Sequence, residues 1–302
     1  MKTNSITITY LSKVSFASLN GADKEVDNIN PIKKVTLSNG KELPYVSSQA
    51  IRRALRDRLQ DFGYTLSPIQ EASATKGAPK TSINPIEYID DDLFGYMDAS
   101  PAKEDKKKGT STTRTSPIRV EALLALTEYQ GDLDYATNFM GKGIKNKNGE
   151  EIHPNIFETE VHSGIYRGTI LIELDQIGKG QGFENGDLSN EEKSKRVLAF
   201  IDSFRNLWSS GRQSRFLADI SPKFIAAACM KVKNPIFLEA VNVNPQNQIN
   251  FAALQTVVSD YDKFIDDSVF AGQQAVFDLE EQAVSLKQGF EKIENWVKEY
   301  YK

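Results

Sequence analysis

The chain has 302 residues, of which 39% are hydrophobic and 26% charged, and its formal net charge is −4. This composition supports one large packed domain or two smaller ones, and it excludes global disorder. Two histidines and one cysteine are too few for a histidine-rich metal site or a zinc cluster, so we expect neither a metal nor another cofactor.

The sequence also gives an expectation about location. No apolar run approaches the length that spans a bilayer, and the first residues lack the apolar core of a signal peptide. The single cysteine, Cys229, lies in an apolar run and has no second cysteine to pair with, which suits a reducing compartment. We therefore expect a cytoplasmic protein without a membrane partner.

The charges are unevenly distributed along the chain. Residues 234–302 hold 11 acidic side chains, five lysines and no arginine, whereas the rest of the chain carries every arginine and a slight positive excess. Such a separation can present a basic groove on one side and an acidic surface on the other. Ordinary acidic helices facing solvent would give the same pattern.

A strand, a hairpin and a helix are predicted first in chain order. Residues 5–16 alternate as a strand does, and residues 34–46 fit a hairpin that turns at Asn39-Gly40. The helix that follows can be capped by Ser48 and closed by Gly63.

The next stretch, residues 64–156, is too long for a simple connection, so we expect an inserted subdomain or a set of functional loops. Within it, residues 101–117 are poor in apolar side chains and are predicted to form a mobile loop. Residues 118–126 fit a strand or a helix equally well, and residues 141–150 contain glycine and asparagine turns.

The remaining elements complete a recognisable order. Residues 157–175 fit a long strand pair, Ser189 and Glu192 form a capping box before a helix, and residues 222–231 fit another strand. Two helices are expected near 250–265 and 278–300. The order strand, helix, strands, helix, strand predicts an α+β, ferredoxin-like fold of the type found in RNA-recognition (RRM-like) domains. The predicted units are the RRM-like domain (1–63 and 157–245), the insertion (64–156) and C-terminal helices packed on the domain (246–302).

The first predicted helix separates into two faces when residues advance by about 100° each. An apolar face contains Ile51, Leu55, Leu59 and Phe62. The neighbouring face contains Gln49, Arg52, Arg53 and Arg56 without an acid among them. Arginines this close repel one another unless an anion lies between them, and guanidinium matches phosphate oxygens in geometry. The free amides near Ser48 add to this anion site, although acids elsewhere in the fold could pair with the arginines instead.

Two further basic segments are candidate contacts to nucleic acid. One is the loop after the helix that ends near Trp208, where Gly211 permits close backbone approach and Arg212, Gln213 and Arg215 supply donors. The other combines Lys106, Lys107 and Lys108 with Arg114 and Arg119, which together could close over a nucleic-acid strand. A helix cap and a solvated linker are the alternatives for the two segments.

Three consecutive acids, Asp90, Asp91 and Asp92, allow a different function. They could bind a divalent metal for phosphodiester hydrolysis, or they could form a turn or a contact with a partner. The nearby Phe94 and Tyr96 could stack on bases or lie in the core.

Three stretches together resemble a known family: SSQAIRRALR (47–56), DDLFGY (91–96) and GRQSRFLADISP (211–222). They are similar to blocks of the backbone subunit of type I CRISPR Cascade complexes, the "Cas seven" family, in the DevR branch typical of type I-B systems. Their order and spacing extend the resemblance over nearly the whole chain.

The resemblance implies a right-hand shape, with an RRM-like palm, inserted fingers and a thumb loop. It implies a non-catalytic subunit whose copies stack head to tail along a guide RNA (crRNA), beside other Cascade subunits, and present it for pairing with a target DNA strand. The implied RNA contacts are Gln49, Arg52, Arg53 and Arg56 in the first helix, Gly211, Arg212 and Arg215 in the glycine loop, and Asn20 and Gly21 after the first strand.

Two departures from the family keep alternatives open. The palm lacks the aromatic pair of a standard RNA-recognition motif on an obvious central strand, so contacts should follow the RNA backbone. Related subunits of type III systems cut RNA with a loop aspartate, so a metal-dependent ribonuclease using Asp90 to Asp92 is the alternative function. A protein-interaction module with acidic C-terminal helices is a third.

Overall fold

A computed structural model describes residues 2–23, 28–69, 80–98, 112–138, 143–151, 155–209, 215–279 and 281–302. Within these ranges the strands are β1 (Ser5–Ala17), β2 (Ile29–Asn30), β3 (Lys34–Thr36), β4 (Glu42–Val46), β5 (Tyr96–Asp98), β6 (Thr112–Arg114), β7 (Ile118–Val120), β8 (Leu123–Ala125), β9 (Leu133–Asn138), β10 (Asn155–Glu160), β11 (His162–Glu173), β12 (Phe224–Met230), β13 (Ile265–Gly272) and β14 (Val284–Ser285). The helices are α1 (Ser48–Asp61), α2 (Ile89–Phe94), α3 (Asn190–Arg205), α4 (Phe251–Asp260) and α5 (Leu286–Tyr300), with a short 3-10 helix at Leu174–Gln176.

The main sheet has the order β14-β13-β12-β1-β11-β8-β4-β3, with β7 also paired to β11. Its centre is antiparallel: Ile8 of β1 lies opposite Ala227 of β12 on one side and Ile170 of β11 on the other. The ferredoxin-like arrangement is formed, in chain order, by β1, α1, β7 with β8, β11, α3 and β12. The predicted α+β class is confirmed, whereas the division into palm, fingers and thumb stays a prediction.

The sheet is covered on both faces, and the alternation of side chains along β12 shows how. Ile225 and Ala227 point into a core shared with α1, α3 and α5, whereas Phe224 and Ala226 point into a second core shared with α4. Successive side chains of a strand face opposite sides, so a continuous apolar run is the expected sequence of a strand buried on both faces.

Two smaller sheets lie outside the main one. Strands β9 and β10 pair antiparallel, and β2 joins β10 in parallel. Strands β5 and β6 form a short pair. Because β10 runs into β11 after Val161, the three-stranded sheet lies at the end of the main sheet where Ala17 of β1 meets His162.

Several predicted elements need correction. The ambiguous residues 118–126 form β7 and β8, which join the main sheet beside β11 rather than staying in a separate insertion. The C-terminal segment, for which only two helices were predicted, also contributes β13 between them, and this strand pairs antiparallel with β12. The predicted capping box before α3 is present in part: Ser189 caps the helix, but Glu192 pairs with Arg196 instead of closing the box.

Among the helices of the described residues, none combines the length and apolarity needed to cross a bilayer.

Candidate nucleic-acid interface

Three segments that are distant in sequence meet at one cleft of about 370 Å³. The loop after β1 supplies Asn20 and Gly21, helix α1 supplies Ala50 and Arg53, and Ser209 is the last described residue before the glycine loop. Apolar side chains of Leu19, Val46, Ile51, Ala54 and Ile220 also line it. The structure therefore brings together residues from three of the predicted contact segments.

Hydrogen bonds fix the walls of this cleft. The side-chain oxygen of Asn20 accepts a hydrogen bond from the backbone N–H of Ser47 at 2.9 Å, which ties the loop after β1 to the start of α1. The Ser209 N–H donates to the Ala218 carbonyl at 2.9 Å, and Trp208 bridges to Asp219. The two ends of the glycine loop are thus held together at the cleft.

The start of α1 differs slightly from the prediction. Ser47, not Ser48, is the cap, and its side chain accepts from the Ala50 N–H. Ser48 instead donates its hydroxyl to the Val120 carbonyl at 2.7 Å, which anchors the helix to β7. Gln49 is exposed. The first turn of α1 contains no acid, so the positive end of the helix dipole is left without an internal counter-charge.

Each arginine of α1 has a protein partner, which the sequence pattern did not show. Arg53 pairs with Asp57 at 2.9 Å along the same helix, and its side chain is 62% exposed. Arg56 pairs through Nε with Asp90 at 3.3 Å. Arg52 donates through Nη2 to a backbone carbonyl of α2 at 2.5 Å. The face itself contains no acid, but Asp57 of the same helix and Asp90 of α2 provide the pairing with acids elsewhere that the sequence left open as the alternative.

The pairing still leaves a positive excess. Asp90 is the one described carboxylate that pairs with either Arg52 or Arg56, and it pairs with Arg56 alone, whereas the Nε of Arg52 is buried with no hydrogen-bond partner among the described residues. Burial, and then repulsion from Arg56, lowers the pKa of Arg52. The Arg53 side chain of this pair is largely exposed, and ion pairs at the surface contribute only about 0–1 kcal/mol. A phosphate can therefore compete for Arg53 at little cost.

Arg114 has a different role from the predicted one. Its guanidinium is buried and donates all five of its N–H groups. They go to the carboxylate and the carbonyl of Asp92 and to the carbonyls of Gln176, Lys179 and Gln181. No donor remains for a ligand, so Arg114 holds β6 to α2 and to residues 176–181, and we do not propose it as an RNA contact.

Arg119 and Arg215 lie at opposite ends of the molecule. Arg119 is 58% exposed and pairs with Glu173, which lies opposite Ser5 at the start of β1. The cleft follows the other end of β1, a distance of about 40 Å along the 13 residues of this strand. Arg215 lies on the cleft side, where it pairs with Asp134 and Thr159 of the three-stranded sheet.

Other predicted contacts lie outside the described residues. They are Lys106, Lys107, Lys108, Gly211, Arg212 and Gln213. Their roles stay predictions.

The three acidic side chains of α2 are all buried, and each accepts hydrogen bonds from groups of the protein. Asp90 accepts from the Ser67 N–H at 2.9 Å as well as from Arg56, and Asp91 accepts from a backbone N–H of the preceding loop. Asp92 pairs with Arg114 and with Arg196. No group of three or more acidic, histidine or cysteine side chains in the described part of the chain could hold a metal ion.

Exposed residues at the cleft end of the sheet were missed from the sequence. Lys13 and Phe16 are exposed near the C-terminal end of β1, and Phe16 packs edge-on against Phe216 with the ring centres 5.4 Å apart. Leu11 is the last residue of β1 whose side chain packs in the second core. The polar Lys13 follows it on the same face, and this change from apolar to polar was the sequence signal for an exposed strand end.

Known proteins match both the sequence and the fold. The family model described as "CRISPR-associated negative auto-regulator DevR/Csa2" matches residues 8–244. A Myxococcus xanthus (strain DK1622) protein, "CRISPR-associated protein Cas7/Cst2/DevR", is 26% identical over 255 residues, which cover 82% of this chain and 79% of that protein.

Two solved chains share the fold. One, titled "CRISPR RNA-guided surveillance complex, pre-nicking", has a TM-score of 0.60 at 15% identity, covering 98% of this chain and 99% of its own. The other, titled "CRISPR RNA-guided surveillance complex", has a TM-score of 0.58 at 15% identity, with 96% and 98% covered.

Proposed function

The chain belongs to the CRISPR-associated DevR/Csa2 family, as its sequence blocks indicated, and we propose that it binds crRNA as a backbone subunit of a surveillance complex. The shared fold with chains from RNA-guided surveillance complexes supports the proposal. The subunit acts as a scaffold: base pairing between guide and target supplies the sequence specificity, and the protein follows the RNA backbone.

The observation that carries this function is the convergence at the cleft. The first turn of α1, Arg53 and Ser209 beside the glycine loop line one depression, and Arg52 and Arg56 lie on the neighbouring face of the same helix, where they contact α2. Phosphate groups are the ligand that this arrangement suits, because the helix start offers positive potential and the guanidiniums offer matched donors. The described part of the cleft has no aromatic side chain on which a base could stack, which favours contacts to the backbone.

The further partners follow from the family resemblance. Copies of the chain would stack head to tail along the crRNA, the paired ligand would be a target DNA strand, and other Cascade subunits would close the assembly. Residues 64–156, apart from β7 and β8, would supply the fingers and thumb. The exposed residues at the cleft end of β1 and the three-stranded sheet provide surface for these contacts.

The ribonuclease alternative is not favoured. A loop aspartate that binds a catalytic metal must reach solvent and substrate, whereas Asp90, Asp91 and Asp92 are buried. Addition of Mg²⁺ or Mn²⁺ to the purified protein with RNA paired to its guide should therefore produce no regularly spaced cuts.

The salt dependence of RNA binding tests the proposed interface. For binding to single-stranded RNA, each phosphate contact that is removed should make the slope of log K against log salt shallower by about 0.7. The double variant Arg52→Ala, Arg56→Ala should bind more weakly at every RNA sequence, with a slope shallower by about 1.4. Arg53→Ala removes a largely exposed side chain, so the slope should become shallower by about 0.7 while the stability of the protein is unchanged.

A matched substitution provides the control. Arg205 is exposed at the end of α3 and does not line the cleft, so Arg205→Ala should leave the slope as in the unmodified protein. If the α1 arginine variants and Arg205→Ala change the slope equally, the arginines act through overall charge and the interface is wrongly placed. An unchanged slope in the α1 arginine variants would remove the proposal.

A further inference from the structure

Helix α2 packs against Arg52 and Arg56 of α1 and touches both. The guanidinium carbon of Arg56 is 4.6 Å from the centre of the Phe94 ring, and that of Arg52 is 5.9 Å from it. The Phe94 carbonyl accepts from Arg52 Nη2, and Asp90 accepts from Arg56 Nε. One short helix thus supplies an aromatic platform, a carbonyl and a carboxylate to the pair.

These contacts restrict the guanidiniums in complementary ways. An aromatic face beneath a guanidinium fixes its plane, and a carboxylate bound at Nε fixes its rotation. Without them the two side chains, one turn apart on α1, would repel each other and occupy many rotamers. In Arg56, Nε donates to Asp90 and Nη1 donates to the Arg52 carbonyl at 3.4 Å, which leaves Nη2 as the donor without a hydrogen-bond partner among the described residues.

The helix that supplies these contacts is itself firmly held. Phe94 is buried and packs edge-on against Phe200 of α3 at 6.2 Å. Asp90 is fixed by the Ser67 N–H, and Asp92 is fixed by Arg114 and Arg196. The contacts to Arg52 and Arg56 therefore come from a rigid part of the core, as a positioning element requires.

We propose that Phe94 and Asp90 are positioning residues for RNA binding: from the interior, without touching the ligand, they hold Arg52 and Arg56 in the geometry that receives phosphates. This inference rests on the proposed function. It also gives the acidic block of α2 a role that is neither metal binding nor a surface turn.

The test compares the same substitution at two buried phenylalanines. Phe94→Leu removes the aromatic platform without changing any charge, whereas Phe200→Leu alters the same core and touches neither guanidinium. RNA affinity is measured against salt concentration, and thermal unfolding is measured in parallel. Phe94→Leu should bind about three- to tenfold more weakly, with a slope shallower by about 0.7. Phe200→Leu should lose stability and retain both RNA parameters.

Two further variants sharpen the result. Phe94→Tyr keeps an aromatic face and should restore RNA affinity, even where its buried hydroxyl lowers the melting temperature. Asp90→Asn keeps an acceptor for Ser67 and removes the charge that holds Arg56, so affinity should fall. Tighter binding with a steeper slope in Asp90→Asn would show that Asp90 competes with phosphate, and would overturn its positioning role.

The outcomes separate this inference from the proposed function. If the Arg52→Ala, Arg56→Ala variant loses affinity but Phe94→Leu binds RNA like the unmodified protein, the positioning role is refuted and the proposed interface is retained. Equal RNA losses in Phe94→Leu and Phe200→Leu also overturn it, because they reduce the effect to core packing. If the double arginine variant binds normally, the proposed interface fails first.

Discussion

The buried ion triad of Asp92, Arg114 and Arg196 provides the most demanding test of the folded structure. Asp92 is fully buried, and the side chains of Arg114 and Arg196 are each only 4% exposed. One carboxylate therefore accepts from two guanidiniums and also from the Gly178 N–H at 3.1 Å. The Asp92→Asn substitution keeps the shape of the side chain but leaves two buried cations without this counter-charge.

Removing one partner of a buried ion pair typically costs about 3–5 kcal/mol, because the remaining charge stays desolvated. For a domain of this size that corresponds to a fall in melting temperature of roughly 6–20 °C. Calorimetry or urea unfolding of Asp92→Asn measures the effect. Glu239→Gln is the matched control, since Glu239 pairs with Arg167 but is 81% exposed, and its loss should cost at most about 1 kcal/mol.

A double-mutant cycle isolates the interaction itself. Adding Arg114→Gln to Asp92→Asn should cost less than the sum of the two single losses, because either change already breaks the same pair. A loss from Asp92→Asn no larger than that of the exposed control would refute the reasoning, since the two guanidiniums would then not depend on this carboxylate.

Two other predictions concern the cleft and the junction beside it. Asn20→Ala removes the acceptor for the Ser47 N–H, so it should cost about 1 kcal/mol in unfolding experiments; Asn20→Asp keeps the acceptor and should recover the stability, and equal losses in both would contradict the assignment. His162 is buried beside the Tyr166 hydroxyl at 2.7 Å, and burial lowers its pKa below the ordinary 6.5. The unfolded chain then binds a proton more readily than the folded one, so stability should fall as pH drops from about 7 to about 5, and fall less in His162→Gln. Urea midpoints at the two pH values measure this, and parallel pH profiles in both proteins would contradict it.

The extent to which the sequence predicted the structure depends on how local each signal is. Ile51, Leu55 and Leu59 are buried as the periodicity of α1 indicated, and Gly63 has the positive φ of 86° that the predicted helix end requires. Phe62 is the exception, because it lies past the last full turn and is half exposed. Patterns within one helix or strand are set by neighbours along the chain, so the sequence shows them directly.

Pairings between distant segments could not be read in this way. Arg56 pairs with Asp90, which lies 34 residues away in the sequence, and Asp92 pairs with Arg196, which lies 104 residues away. The acidic block therefore looked like a metal site or a turn, although its partners place it in the core. Strand β13 was missed for the same reason, since its pairing with β12 depends on an edge that no local pattern reveals.

Asp90 pairs with Arg56, whereas Arg52 has no carboxylate partner among the described residues, and this charge balance explains why both pairing and ligand binding are possible on one helix. With no acid, two guanidiniums one turn apart and partly buried would repel and destabilise α1 in the free protein. With an acid for each, the pair would be neutral and would attract phosphate weakly. One carboxylate for two cations stabilises the empty helix and still leaves a net positive charge for the RNA backbone. A second carboxylate beside Arg52, introduced at the exposed Gln49 as Gln49→Glu, should therefore weaken RNA binding while leaving the fold intact, and binding equal to that of the unmodified protein would show that the charge balance is not what attracts the ligand.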